Sequence, residues 1–111
     1  MWKSRADAPE IAAELLLATH PQHGMVLQFI KTPFPIVIAQ SSDAGWKISF
    51  AGDREFSGPG KPPARISWFQ LAAALDGHEL PAGWTFKKTS DKNWRLENPR
   101  TGEFIEGYLA L

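Results

Sequence analysis

Charged and aromatic side chains are interleaved in the C-terminal third of the chain, between positions 84 and 100. This segment holds five basic and two acidic residues, a local charge of +3 in a chain that is neutral overall. Cations contact phosphates and aromatic rings stack on bases, so a sheet that carries both can hold single-stranded nucleic acid. The candidate binding residues are Lys87, Lys88, Lys92, Trp94, Arg95 and Arg100.

Strand geometry divides these candidates between two faces. Successive side chains of a strand point to opposite sides, so Lys87 opposes Lys88 and Trp94 opposes Arg95. This alternation predicts that the aromatic rings belong to the core and that most of the cations lie on a solvated outer face. A basic outer face suits an acidic partner, either nucleic acid or protein.

The three histidines are the candidate metal ligands. His20 and His23 lie three positions apart and His78 stands alone. Two imidazoles and a carboxylate can hold zinc, but the chain has no HExxH spacing and no cysteine to complete a structural site. The sequence therefore predicts no metal and no cofactor, and places the first two histidines in a solvated turn.

No other motif predicts catalysis. The segment Gly58-Pro59-Gly60-Lys61 follows an acidic and basic run but does not match the Walker pattern, and no serine lies in a GxSxG elbow. The absence of cysteine also removes a thiol nucleophile. We therefore predict no catalytic residues, which favours a non-enzymatic protein over an enzyme.

The composition is that of a small globular protein. The chain has 111 residues, of which 43% are hydrophobic and 22% charged, and this length predicts one domain spanning 1–111. The apolar stretch at 11–18 is too short for a membrane span and lacks the features of a signal peptide. These features predict a soluble cytoplasmic protein.

Two segments carry helix signals. Asp7 is a candidate N-cap, and Ile11, Leu15 and Ala18 share one helical face, so the spacing predicts a first helix from about 9 to 19. Its wide apolar arc suggests burial on a second side, including contact with a second copy of the chain. Ser67 with Gln70 forms a capping box, which predicts a second helix ending near 76 and 77.

Six strands are predicted between and after these helices, at 25–31, 36–38, 46–50, 84–87, 94–97 and 104–109. The fold class is then α+β, a largely antiparallel sheet packed against two helices, in the order α-β-β-β-α-β-β-β. The repeated order suggests half-repeats at 9–50 and 66–108 through internal duplication, with chance as the alternative. A loop spans 51–64.

Three functional hypotheses remain. The first is a non-enzymatic interaction or regulatory protein that acts through a protein-binding surface. The second is a nucleic-acid-binding module that uses the basic aromatic face of 84–100. The third is a small-ligand binder or enzyme whose pocket lies beside the 51–64 loop and is lined by Asp53 or His78. Four of the five tryptophans fall on apolar stripes and are expected in the core, whereas Trp2 is the exposed candidate.

Overall fold

The computed structural model describes residues 1–20 and 24–108, and this part of the chain is mostly β-structure with one α-helix. The predicted α+β class with two helices on one sheet is wrong, because the strands form two separate antiparallel sheets. In chain order the elements are β1 (Trp2–Lys3), β2 (Glu10–Ile11), β3 (Glu14–His20), β4 (Gly24–Lys31), β5 (Phe34–Ser42), β6 (Gly45–Phe50), β7 (Arg54–Gly58), α1 (Ser67–Leu75), β8 (Thr85–Lys88), β9 (Asn93–Asn98) and β10 (Glu103–Tyr108).

Residues 13–72 form one compact unit, called here the central unit. Its sheet runs in the order β3-β4-β5-β6-β7, so each strand pairs with the next one along the chain. One face of this sheet is the core and includes Leu27, Phe29 and Ile48, each at most 1% exposed. The start of α1 contributes Trp68, whose ring centroid lies 5.0 Å from that of Phe29.

Residues 1–12 and 73–111 form a second compact unit, called here the split unit because the central unit interrupts it in sequence. Its sheet runs in the order β2-β1-β10-β9-β8, with Leu96 and Ile105 fully buried. The Trp2 indole Nε1 donates a hydrogen bond to Glu103 at 2.9 Å, so this predicted exposed tryptophan is half-buried. Burial lowers the pKa of the Met1 ammonium, while the charge of Glu106 opposes that change.

The predicted first helix at 9–19 is wrong, because this segment forms β2 and most of β3. The sequence hides the strand, since Leu15-Leu16-Leu17 is apolar at every position and fits a helical period as well as an alternating one. In the structure exposure alternates along β3, with residues 14, 16 and 18 exposed and 15 and 17 half-buried. Pairing with β4 supplies the hydrogen bonds that decide between the two conformations.

The second predicted helix is confirmed, as α1 begins at the predicted cap. Gly77 has a φ of +81°, and its N–H donates to the carbonyl of Ala74, which is the expected glycine-terminated end. The six predicted strands correspond to β4, β5, β6, β8, β9 and β10. The 51–64 segment is not a plain loop, because β7 lies within it.

The segments 9–50 and 66–108 do not share one order of elements, so the predicted pseudo-twofold arrangement is wrong. The first segment contains five strands, and the second contains a helix and three strands. A single domain over 1–111 stays a prediction. No helix in the described ranges is both long enough and apolar enough to cross a membrane.

Gly24, at the start of β4, is expected to be intolerant of substitution. Its φ is +90°, and a Cβ there would overlap the carbonyl oxygen of Ser41 on β5. We expect Gly24→Ala to lower the free energy of unfolding by about 2–4 kcal/mol, from the unfavourable φ together with the overlap. Chemical denaturation in urea measures this loss.

Gly52→Ala is the matched control for that substitution. Gly52 has nearly the same φ, +91°, but nothing lies within 4 Å of its Cβ position. The free energy of unfolding of this variant should therefore fall only by the cost of the unfavourable φ, about 1–2 kcal/mol. Equal losses in the two variants would show that the approach of β4 to β5 contributes nothing.

Candidate functional site

The outer face of the central sheet changes from charged to apolar as one crosses it. At the β7 side Lys47 Nζ lies 3.3 Å from Glu55 Oε1 in a solvated ion pair. At the β3 side Leu16 is 55% exposed and Val26 is 38% exposed. The registers place both on the face opposite the core, with exposed Ala18 directly across from Val26. The apolar end of this face is therefore unprotected from water.

β3 forms the edge of this sheet next to the apolar end, with β4 as its only hydrogen-bonded neighbour among the described strands. It is seven residues long and carries no charged side chain from Leu15 to Thr19. An edge strand presents unpaired N–H and C=O groups, and proteins usually protect such an edge with charge, proline or short length. β3 has none of these along its middle five positions.

The three other sheet edges are protected. β2 has two residues, β7 begins with Arg54 and Glu55, and the four-residue β8 ends with Lys87 and Lys88. Within the described residues, β3 is thus the one edge suited to pairing with another strand.

A groove of about 690 Å³ lies within the split unit. One wall is the end of α1 and the segment that follows it, and the other wall is the hairpin of β8 and β9. Its apolar lining consists of Ala74, Leu75, Leu80, Trp84, Phe86 and Trp94. Four ionic side chains also line it, Lys88 and Lys92 with Glu79 and Asp91, so their formal charges cancel.

The six candidate binding residues do not form one surface. Lys88, Lys92 and Trp94 line the groove, and the register of β8 with β9 places Lys88 across from Trp94 on one face. Lys87 and Arg95 lie directly across from each other on the other face. Arg100 is exposed in the turn between β9 and β10, where its N–H bonds to Asn98 Oδ1.

No protein-family model, no curated protein and no solved structure matches this chain. A fold alone does not specify an activity, so function here follows from the chemistry of the surfaces.

The positive charge of Arg95 is already balanced by neighbouring side chains. Its guanidinium lies 4.1 Å from the centroid of the Phe104 ring, and it contacts Glu106 at 3.2 Å and Glu97 at 3.4 Å. Two carboxylates and a ring therefore already surround this cation. The face that holds Arg95 and Lys87 is a mixed-charge surface, which weakens it as a site for nucleic acid phosphates.

The candidate metal ligands are not brought together where they can be described. His23 lies outside the described residues, and the side chain of His20 is likewise not described. The Nε2 of His78 lies 2.9 Å from Asp76 Oδ2, a pair of solvent-exposed groups. The part of the chain that the structure describes contains no group of three His, Asp or Glu side chains suited to a metal ion.

The pocket expected beside the 51–64 segment is not where the larger groove lies. A smaller concavity of about 400 Å³ surrounds the β5–β6 hairpin, and Gly58 is the only residue of 51–64 among its lining residues. Asp53 is exposed at a φ of +66°, a conformation that aspartate tolerates in turns. His78 lines the larger groove instead, together with the end of α1.

Sequence reasoning missed both surfaces for the same reason. The β3 edge falls in a segment that reads as helix, and one wall of the groove comes from 74–80, far in sequence from Trp94. The available signal for the edge was the uncharged run from Leu15 to Thr19 beside Pro21, which is also compatible with a strand.

Proposed function

We propose that this chain is a protein-interaction domain that pairs the β3 edge with the same strand of a second copy. The observation that carries the proposal is the uncharged, apolar and unprotected edge of the central sheet. Strand addition satisfies the free backbone groups of such an edge and covers the side chains beside it. The segment that the sequence predicts as a self-associating helix would thus act as a strand.

A twofold axis fixes how two copies of β3 can meet. Directly opposed residues of an antiparallel pair lie on the same face, so the axis must pass through a residue position. An axis at Leu17 pairs all seven residues of the strand, whereas an axis at 16 or 18 pairs five. The Leu17 register therefore gives the longest ladder.

The Leu17 register is also complementary in side-chain size. It sets Leu16 opposite Ala18 of the second copy on the outer face, and Leu15 opposite Thr19 on the core face. A large side chain then meets a small one on both sides of the axis. Cross-strand pairs of this kind stabilise a sheet, and the exposed apolar strip of each copy continues into that of the other. Two five-stranded sheets would join into one.

No charged side chain interrupts the proposed ladder between Leu15 and Thr19. A foreign partner would need a strand that is equally uncharged, because an unpaired charge at this edge would lose hydration without a counter-ion. The chain itself supplies a strand of that composition and of matching length.

Cysteine cross-linking tests both the interface and its register. The chain has no cysteine, so a single introduced residue gives an unambiguous product. At the Leu17 register the two Cα atoms of position 17 are about 4.5–5.5 Å apart, which is within disulfide range. We expect Leu17→Cys to form a covalent dimer rapidly under mild oxidation at micromolar concentration, as read by non-reducing electrophoresis.

Ala44→Cys, in the exposed turn between β5 and β6, is the matched control and should form no covalent dimer, because position 44 lies outside the proposed interface. Sedimentation equilibrium of the unmodified chain should independently give twice the monomer mass. A monomer at every concentration up to the millimolar range, or equal cross-linking at 17 and 44, would refute self-association through β3. Heterologous strand capture by a monomeric chain would refute it as well.

A further inference from the structure

The groove of the split unit has the dimensions of a small-molecule site. Its volume of about 690 Å³ lies within the range of about 300–1,000 Å³ that is typical of such sites. Its walls present two indole rings, a phenyl ring and aliphatic side chains, and the Phe86 and Trp94 rings are stacked with centroids 6.3 Å apart. A flat apolar body is the shape that such walls contact best.

Two cations of the groove are uncommitted. Lys88 and Lys92 are exposed and form no ion pair within the described residues, in contrast to Lys47 and Arg95. Glu79 and Asp91 line the same groove, also form no ion pair within the described residues, and limit its positive potential. This balance favours a ligand with one anionic group over a polyanion such as nucleic acid, which needs a net positive surface.

The Trp94 indole adds an unsatisfied donor. Trp94 is 5% exposed, and its Nε1 has no hydrogen-bond partner in the described part of the chain. Buried N–H groups in folded proteins nearly always have an acceptor, so this donor lacks a partner that such groups usually have.

From these three features we infer that the groove binds a small, flat, apolar molecule that carries a single anionic group. The rings of Trp84, Phe86 and Trp94 contact its body, and the ammonium groups of Lys88 and Lys92 hold its charge. This site is independent of strand pairing, because every residue that lines it belongs to the split unit.

A pair of fluorescent probes tests the inference. The anion 8-anilinonaphthalene-1-sulfonate and neutral N-phenyl-1-naphthylamine share one ring system and differ by the sulfonate. We expect the anion to bind the native chain with one site per chain, and more tightly than the neutral probe. The double variant Lys88→Gln/Lys92→Gln should weaken anion binding by about tenfold, as exposed ion pairs allow, and leave the neutral probe unchanged.

Lys87→Gln is the matched control, since it removes the adjacent cation of the same strand but on the opposite face. It should bind the anion as the native chain does. The Trp94 indole N–H signal, assigned by its loss in Trp94→Phe, should shift on titration in the ¹H–¹⁵N spectrum. Equal binding of both probes, an equal effect of Lys87→Gln and the double variant, or an unmoved Trp94 signal would overturn the inference.

Discussion

Replacing Leu16 and Ala18 together with lysine is expected to abolish dimer formation at micromolar concentration. At the Leu17 register position 16 of one copy faces position 18 of the other, so the double variant sets two like-charged pairs directly across the interface. Like charges opposed in this way cost several kcal/mol, which corresponds to a dissociation constant raised by about a hundredfold or more. Sedimentation equilibrium measures the change.

The fold itself should tolerate these changes. Both positions are exposed on the outer face, and substitutions at such positions usually alter the free energy of unfolding by about 0.5 kcal/mol or less. The comparison is made at a protein concentration low enough for the native chain to be monomeric as well. Under that condition the variant should unfold at a urea midpoint close to that of the native chain.

Leu16→Lys/Ala18→Glu is the control that separates charge repulsion at the Leu17 register from the simple loss of apolar contact. It removes the same apolar groups but sets lysine opposite glutamate, so the dimer should weaken far less than with two lysines. Likewise, the two-lysine chain mixed with a two-glutamate chain should form a heterodimer. If the mixed-charge variant dissociates as completely as the two-lysine variant, the Leu17 register is incorrect.

Trp68→Ala is expected to lower the free energy of unfolding more than Gly24→Ala does. Trp68 is 1% exposed and packs against Phe29, and truncation of such a ring to alanine costs about 3–5 kcal/mol. A small protein has only about 5–15 kcal/mol of total stability, so this variant should be partly unfolded at moderate temperature. Urea denaturation followed by circular dichroism gives the magnitude.

Trp68→Phe is the conservative comparison, because it keeps an aromatic ring against Phe29 and leaves a smaller cavity. We expect it to lose less than half of what the alanine variant loses. Stability within about 1 kcal/mol of the native value in the alanine variant would show that the central unit does not depend on this contact.

The sequence predicted the elements whose conformation depends on residues close together in the chain, namely α1 and the clearly alternating strands. The capping box of Ser67 with Gln70 and the glycine at 77 act within one turn of α1, so its bounds were predictable. Strands with clear alternation, such as Trp46 to Phe50, were also predictable. The segment from Leu15 to Leu17 was not, because its conformation depends on pairing with a strand beyond it in the chain.

The candidate site was predictable only in part, and for a related reason. The alternation of side chains along a strand predicted that Lys88 and Lys87 lie on opposite faces, and the register agrees. The wall that turns Lys88 and Trp94 into a groove comes from the end of α1, and no pattern in the sequence pairs that segment with the hairpin. Glu97 lies two positions from Arg95 on β9, so alternation places it on the same face, whereas Glu106 comes from β10 and could not be anticipated beside Arg95.

The interruption of the split unit by the central unit sets the order in which the two can be completed. The strands of the central sheet pair only with their neighbours in sequence, so each hairpin closes over a few residues at small entropic cost. Trp2 and Glu103 are separated by 101 positions, and the sheet that contains them needs both ends of the chain. During synthesis on a ribosome, all residues of the central unit are made before β10. β1 therefore cannot pair with β10 until after the central unit has been synthesised.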